Sequence, residues 1–182
     1  MPVPPTHAVR TCFSTDYADA RAKFISAAEA AGAWLEHHVL TGLVGAQGET
    51  LATDVALLGS PDATSLLILS SGVHGAEGFC GSGCQVALLR DETMRALATQ
   101  RGLAVMLIHA VNPYGFSHLR RTNEDNIDLN RNFIDFSRPT HNPAYAKLHD
   151  LLVPEQWPPT EDNAQAIAAY IATHGEVAFR EA

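Results

Sequence analysis

His74 and Glu77 stand three residues apart in the stretch Ser65–Gly83, SLLILSSGVHGAEGFCGSG. An imidazole and a carboxylate are both ligands for a divalent cation, with zinc–nitrogen and zinc–oxygen bonds of about 2.0–2.2 Å. In the first turn of a helix, residues three apart are neighbours, roughly 5–6 Å between Cβ atoms. The apolar run Leu66–Leu69 predicts a buried strand, and the stretch after Gly78 predicts a helix. The pair is thus expected on a tight turn at the carboxyl end of a strand, where open α/β sheets place their sites. The intervening glycines let backbone approach a ligand closely. His-x-x-Glu is a short pattern, and a corner carrying a polar surface His and Glu fits it equally well.

A second polar constellation follows downstream. It contains Asn112-Pro113-Tyr114-Gly115, then Arg120-Arg121-Thr122-Asn123, then Asp128-Leu129-Asn130-Arg131-Asn132-Phe133. A guanidinium forms two parallel hydrogen bonds to a carboxylate, and an amide side chain adds a third donor. A loop this long in a compact domain is more often functional than idle. The plain alternatives are a solvated surface loop, with Arg131 in an ion pair to Asp128 or Asp135.

Taken in order, His74-x-x-Glu77, Asn-Pro-x-Gly, Arg-x-Asn and Asp-Leu-Asn-Arg-Asn-Phe resemble the zinc carboxypeptidase (M14-type) superfamily. The resemblance is closer still to its DUF2817 branch, with HGxEGFCGSG and RRxNEDNxDLNRNF, and runs from about Tyr17 onward. Four ordered motifs are far more specific than one. The resemblance implies an α/β fold: three α/β/α layers around a mixed, twisted sheet. It implies a zinc ion at His74 and Glu77, with Arg121 polarising the scissile carbonyl and its oxyanion. Arg120 matches that role less well, because the pattern is Arg-x-Asn. Asn130 and Arg131 match the pair that holds a substrate's terminal carboxylate. The family's third zinc ligand, a His on a later strand, and its general-base Glu would fall beyond Ala182. The expectation is therefore a single domain over residues 1–182 that forms the amino-terminal portion of a longer enzyme.

The implied activity is a zinc-dependent hydrolase cleaving an amide next to a free carboxylate. A deacylase of N-acyl amino acids, like aspartoacylase or succinylglutamate desuccinylase, shares these motifs. A carboxylate-binding module without catalysis is the reading from another class. A phosphate-loop nucleotide hydrolase is disfavoured, since no Gly-Lys-Ser/Thr follows the glycines.

Composition frames these readings. The chain has 182 residues, 46% hydrophobic and 18% charged, with net charge −8. That balance argues against nucleic acid and anionic membranes as partners, and for a substrate recognised locally. Cys12, Cys80 and Cys84 are too few for a disulfide framework; Cys80 and Cys84, one turn apart, are expected to pack. No apolar run is long enough to span a bilayer, and the amino terminus lacks the regions of a signal peptide. The expected location is the cytoplasm, and homo-oligomers are possible partners in the sense that an open sheet edge self-associates.

The elements that must position the chemistry also have signatures. Met1–Cys12 reads as an extended arm. A helix is predicted from Asp16 as cap to Gly32 as stop, strands over Leu35–Leu43 and a half-exposed Leu51–Leu58, then the central Leu66–Leu69 strand. One helix from about Ser82 to beyond Arg95 and a central strand Leu103–Ile108 follow. His109, at the end of that strand, is expected to be a hydrogen-bonded core residue rather than a ligand. Helices are predicted over Tyr145–Leu152, with His149 on the surface, and after Thr160, with Gly175 as an interruption.

Overall fold

The computed structural model describes residues 9–60, 62–138 and 141–182. The chain divides into two compact units, Met1–Phe133 and Ile134–Ala182, where a single domain was expected. Each is taken by itself.

The first unit is a mixed α/β structure. Helix α1 (Tyr17–Ala30) starts where expected, because Asp16 adopts an extended conformation and its carboxylate accepts the Asp19 N–H at 2.8 Å. Strands β1 (Trp34–Val44), β2 (Thr50–Leu58), β3 (Ser65–Ser70) and β4 (Leu103–His109) form one sheet in the order β1-β2-β4-β3. β1 runs antiparallel to β2, β2 antiparallel to β4, and β3 parallel to β4. The mixed sheet expected from the sequence is thus the one observed.

Helices α2 (Gly75–Arg90) and α3 (Glu92–Gln100) follow β3. The sequence reading put a single helix here, starting near Ser82. The break has a local cause: Asp91 is extended and its carboxylate accepts the N–H groups of Thr93 and Met94, so it starts a new helix. The start at Gly75 brings Glu77 into the first turn of α2.

The core lies between α1, α2 and one face of the sheet. Phe24 and Ala28 of α1 meet Val86 and Leu89 of α2 over Ala56, Val105 and Leu107, all buried. Burying a side chain such as Phe24 completely is worth about 1.5–3 kcal/mol. A second cluster gathers Tyr17, Ala20, Leu51, Ala110 and Phe116 beneath the short helix α4 (Pro113–Ser117). The Tyr17 hydroxyl donates to the Ala52 carbonyl at 2.8 Å and accepts the Ala52 N–H at 2.9 Å. Across the sheet on the α1 side, His37, Asp54 and His109 are register partners on β1, β2 and β4. Asp54 is fully buried and paired with Arg21 and His37.

β2 alternates as expected: Ala52, Asp54 and Ala56 are buried and Thr53, Val55 and Leu57 partly exposed. Other expectations need correction. β3 is not a buried central strand; it is the edge of the described sheet, and Leu66, Leu67 and Ile68 are 52%, 41% and 55% exposed. Its continuous apolar composition is what a strand covered on both faces carries, which is why composition alone misplaced it. Most of the expected arm falls on residues 1–8, outside the described residues, but Val9–Cys12 form a turn and Cys12 is buried. Cys80 and Cys84 lie exposed on α2 instead of packing.

The second unit holds α5 (Pro143–Leu152), α6 (Glu161–His174) and α7 (Glu176–Glu181). Asn142 and Thr160 cap α5 and α6 through their side chains. Gly175, at φ 85°, ends α6, a conformation that other residues adopt only with strain. The Asn163 amide donates to the Leu151 carbonyl at 2.9 Å and ties α5 to α6. No helix among the described residues is long and apolar enough to cross a membrane.

Candidate functional site

The turn Ser71–His74 leaves β3 at its carboxyl end and enters α2. Its backbone is knitted to the next strand: Ser71 N–H donates to Ile108 O at 3.0 Å, and the Val111 and Asn112 N–H groups donate back to Ser71 O and Gly72 O. Asn112 is buried; its amide donates to Val73 O at 3.3 Å while its oxygen accepts the Gly115 N–H at 2.8 Å. Gly75 N–H in turn donates to Arg120 O at 2.9 Å. The closeness of these chains explains two glycines. A Cβ on Gly75 would overlap the carbonyls of Gly115 and Arg120, and one on Gly115 would overlap the Asn112 amide.

That knitting brings the two distant motifs together. His74 holds two carboxylates, one on each ring nitrogen. Its Nε2 lies 3.0 Å from Asp128 Oδ1 and its Nδ1 lies 3.4 Å from Glu77 Oε1. Asp128 Oδ2 accepts the Arg121 Nε–H at 2.8 Å, and Asp128 Oδ1 also accepts the Asn130 N–H at 2.9 Å. The His74 hydrogen bond, with Arg121 and the Asn130 amide, holds the Asp128 carboxyl down at about 2. An ionised Asp128 can only accept, so Nε2 donates to it and Nδ1 is the nitrogen that faces Glu77. A proton or a cation between Nδ1 and the Glu77 carboxylate suits that arrangement.

Asn130 and Arg131 lie on a 3₁₀ turn, Leu129–Arg131, that Asp128 starts. Both are exposed. Arg131 makes no ion pair among the described residues; its Nη1 donates to Asn130 O at 3.3 Å. Asp128, one of the partners weighed for it, is taken by Arg121. Arg120 instead bonds to Asn126 and Thr122. So His74 and Arg121 meet at Asp128, with Glu77 on the other side of the His74 ring, while the side chains of Asn130 and Arg131 stand free of carboxylates.

Asp128 is the residue that sequence reasoning missed as a joint. Its signal was present: it opens the Asp-Leu-Asn-Arg run and had two candidate cations upstream. His109 is a core residue. It is fully buried, its Nε2 lies 2.9 Å from Ser82 Oγ, it stacks on Phe24, and burial pushes its pKa down to about 4. Its Nδ1 has no hydrogen-bond partner. A groove of about 790 Å³ at the opposite end of the sheet, along α3, is lined by Leu58, Leu67, Leu97 and Val105.

The match to the family model of DUF2817, proteins of unknown function, spans residues 13–182. The chain belongs to the DUF2817 family. Two solved structures resemble this DUF2817 chain in part. One, described as a structural and kinetic characterization of Porphyromonas gingivalis glutaminyl cyclase, is 19% identical, with a TM-score of 0.32, over 57% of this chain and 48% of that one. The other is a Zn-dependent exopeptidase from Parabacteroides distasonis, 17% identical, with a TM-score of 0.35, over 87% of this chain and 52% of that one. The DUF2817 chain thus spans about half the length of each. No curated protein matches it.

Zinc is the group that the motifs imply, and the residues meet it in part. His74 Nδ1 lies 3.4 Å from a Glu77 carboxylate oxygen. Among the described residues, no third His, Cys, Asp or Glu joins them to make a metal-holding group.

Proposed function

We propose that this chain carries part of a metallohydrolase site that acts on an amide beside a free carboxylate. His74 and Glu77 would hold a zinc ion. Bound zinc polarises a carbonyl and lowers the pKa of its water. Arg121, anchored by Asp128, would stand by to stabilise charge developing on the substrate's oxygen. Asn130 and Arg131 would bind the carboxylate, Arg131 with two parallel hydrogen bonds. The observation that carries this reading is the His74 ring. With Nε2 held by Asp128, its Nδ1 meets a second carboxylate at 3.4 Å. Carboxylate–histidine–metal triads have this arrangement, the far nitrogen fixing the tautomer of the ligating one.

Two protein ligands hold zinc weakly, since catalytic sites usually supply three. The test is a zinc titration of the chain followed at the His74 imidazole by NMR, repeated with His74→Ala and Glu77→Gln. Zinc should move the Nδ1 signal, and both substitutions should abolish the response. An unmoved His74 would remove the metal from this proposal. A hydrolysis screen of short peptides against N-acyl amino acids, with and without a chelator, tests the reaction itself.

A further inference from the structure

The segment that carries Arg121, Asp128 and Arg131 also lines a separate cavity of about 300 Å³. Its walls come from β1 at His38–Leu40, from Thr53 on β2, from Asn112, and from Asn123, Glu124 and Leu129 of the loop. The loop is closed there by its own hydrogen bonds. Asn123 Oδ1 accepts the N–H groups of Asp125 and Ile127 at 3.1 and 2.8 Å, and Asn123 N–H donates to Ile127 O at 3.0 Å.

Several polar groups of this wall have partners in the fold. Thr53 donates to Ala110 O at 2.8 Å, Asn112 uses both ends of its amide, and His38 Nε2 lies 3.5 Å from Glu36. Glu124 is half-buried and makes no hydrogen bond or ion pair among the described residues. The cations next to it in sequence are committed elsewhere: Arg121 to Asp128 and Arg120 to Asn126 and Thr122. The cavity wall therefore includes one carboxylate that makes no hydrogen bond or ion pair among the described residues. A partly desolvated carboxylate favours a cationic partner that can donate several hydrogen bonds.

We infer that this cavity is a subsite for a primary ammonium group, with Glu124 as its counter-ion. The inference rests on the proposed function and deepens it. A substrate bound at Arg131 by its carboxylate and at Glu124 by an ammonium is an unblocked short peptide or an amino-acid derivative with a free amine. An N-acyl amino acid lacks the group that the cavity accepts.

The experiment titrates the full chain with n-propylammonium chloride, following backbone amide signals, with 1-propanol as the uncharged probe of the same size. Saturable shifts at Thr53, Asn123 and Glu124 are expected with the ammonium, and at least tenfold weaker binding with the alcohol. Glu124→Gln keeps the shape, touches no partner in the fold, and should weaken ammonium binding at least tenfold. No saturable response, equal binding of the two probes, or an unaffected E124Q would each overturn the inference. Neither readout needs zinc or turnover. A failed zinc titration with the ammonium response intact would sink the hydrolase reading alone, and the converse would sink the subsite alone.

Discussion

Asp128 grips His74 and Arg121 with its two carboxylate oxygens, at 3.0 and 2.8 Å. One acid thereby joins the turn after β3 to the loop that follows α4, 54 residues later in the chain. Replacing it by Asn keeps the shape and removes the charge. Asp128→Asn should free His74 to exchange tautomers, which ¹⁵N spectra of the imidazole read directly. Metal affinity at His74 should fall roughly 10–100-fold, the usual cost of losing such an outer partner. A wild-type ring found with its proton on Nδ1 would contradict the geometry.

The same acid sets an acidic limit. Its folded pKa lies at about 2, below the ordinary carboxylate value of 3.8. A depressed carboxylate contributes stability that is complete above the ordinary value and is lost as pH falls through the folded one. The clamp should therefore hold at pH 5 and fail between about pH 4 and 2. Asp128→Asn should lack that step in a pH series of unfolding curves.

His109 gives the opposite end of the same linkage. Burial lowers its folded pKa from 6.5 to about 4. Below the unfolded value the unfolded chain binds a proton that the folded chain refuses, so stability is full above about 6.5 and declines toward pH 4. The shift corresponds to roughly 3 kcal/mol at most. Urea unfolding at pH 7 and pH 4.5 should show the decline, and His109→Asn should flatten it. An equally steep decline in the variant would show that the burial of His109 does not cause it.

Gly75→Ala is expected to be costly despite its small size. The new methyl meets the Gly115 and Arg120 carbonyls, which are backbone and cannot swing aside. Overpacking of this kind costs about 1–3 kcal/mol. The displaced segment is the one that leads to Arg121, so the His74–Asp128 hydrogen bond should weaken too. Unfolding curves and the His74 ring signals would record both effects.

Arg131→Ala should leave stability nearly unchanged, since the side chain has one hydrogen bond, to its neighbour's carbonyl. If it binds the substrate's carboxylate, the loss of a charge-assisted bond is worth about 1.5–3 kcal/mol. That is roughly a 10- to 150-fold rise in KM, to be measured on a substrate and on its carboxyl-amidated analogue. An equal KM for enzyme and variant would make Arg131 a surface residue.

The strands, the caps at Asp16, Thr160 and Gly175, and the turn at His74 were legible because they depend on neighbours in sequence. The convergence of His74 with Glu77 follows from the same local geometry. The role of Asp128 was not legible, because its partner lies 54 residues away and only the pairing of β3 with β4 brings them together. β3 was misread for the converse reason. A run such as Leu66–Leu69 states how much cover a strand wants, and its neighbours decide whether that cover is there. Glu124 passed unnoticed among other acids, since a carboxylate without a partner looks the same in a sequence as one with a partner.

The open side of β3 has a consequence for chemistry as well as for solubility. Neighbouring strands lie about 4.8 Å apart, and parallel strands end on the same side of a sheet. The last residues of β3 lead directly into the turn that carries His74. A strand laid parallel along that free edge would finish one strand spacing from this turn, delivering whatever side chain follows it to the His74–Glu77 pair. If His74 and Glu77 hold a metal as proposed, a strand added along that edge would also bring a further side chain within their reach.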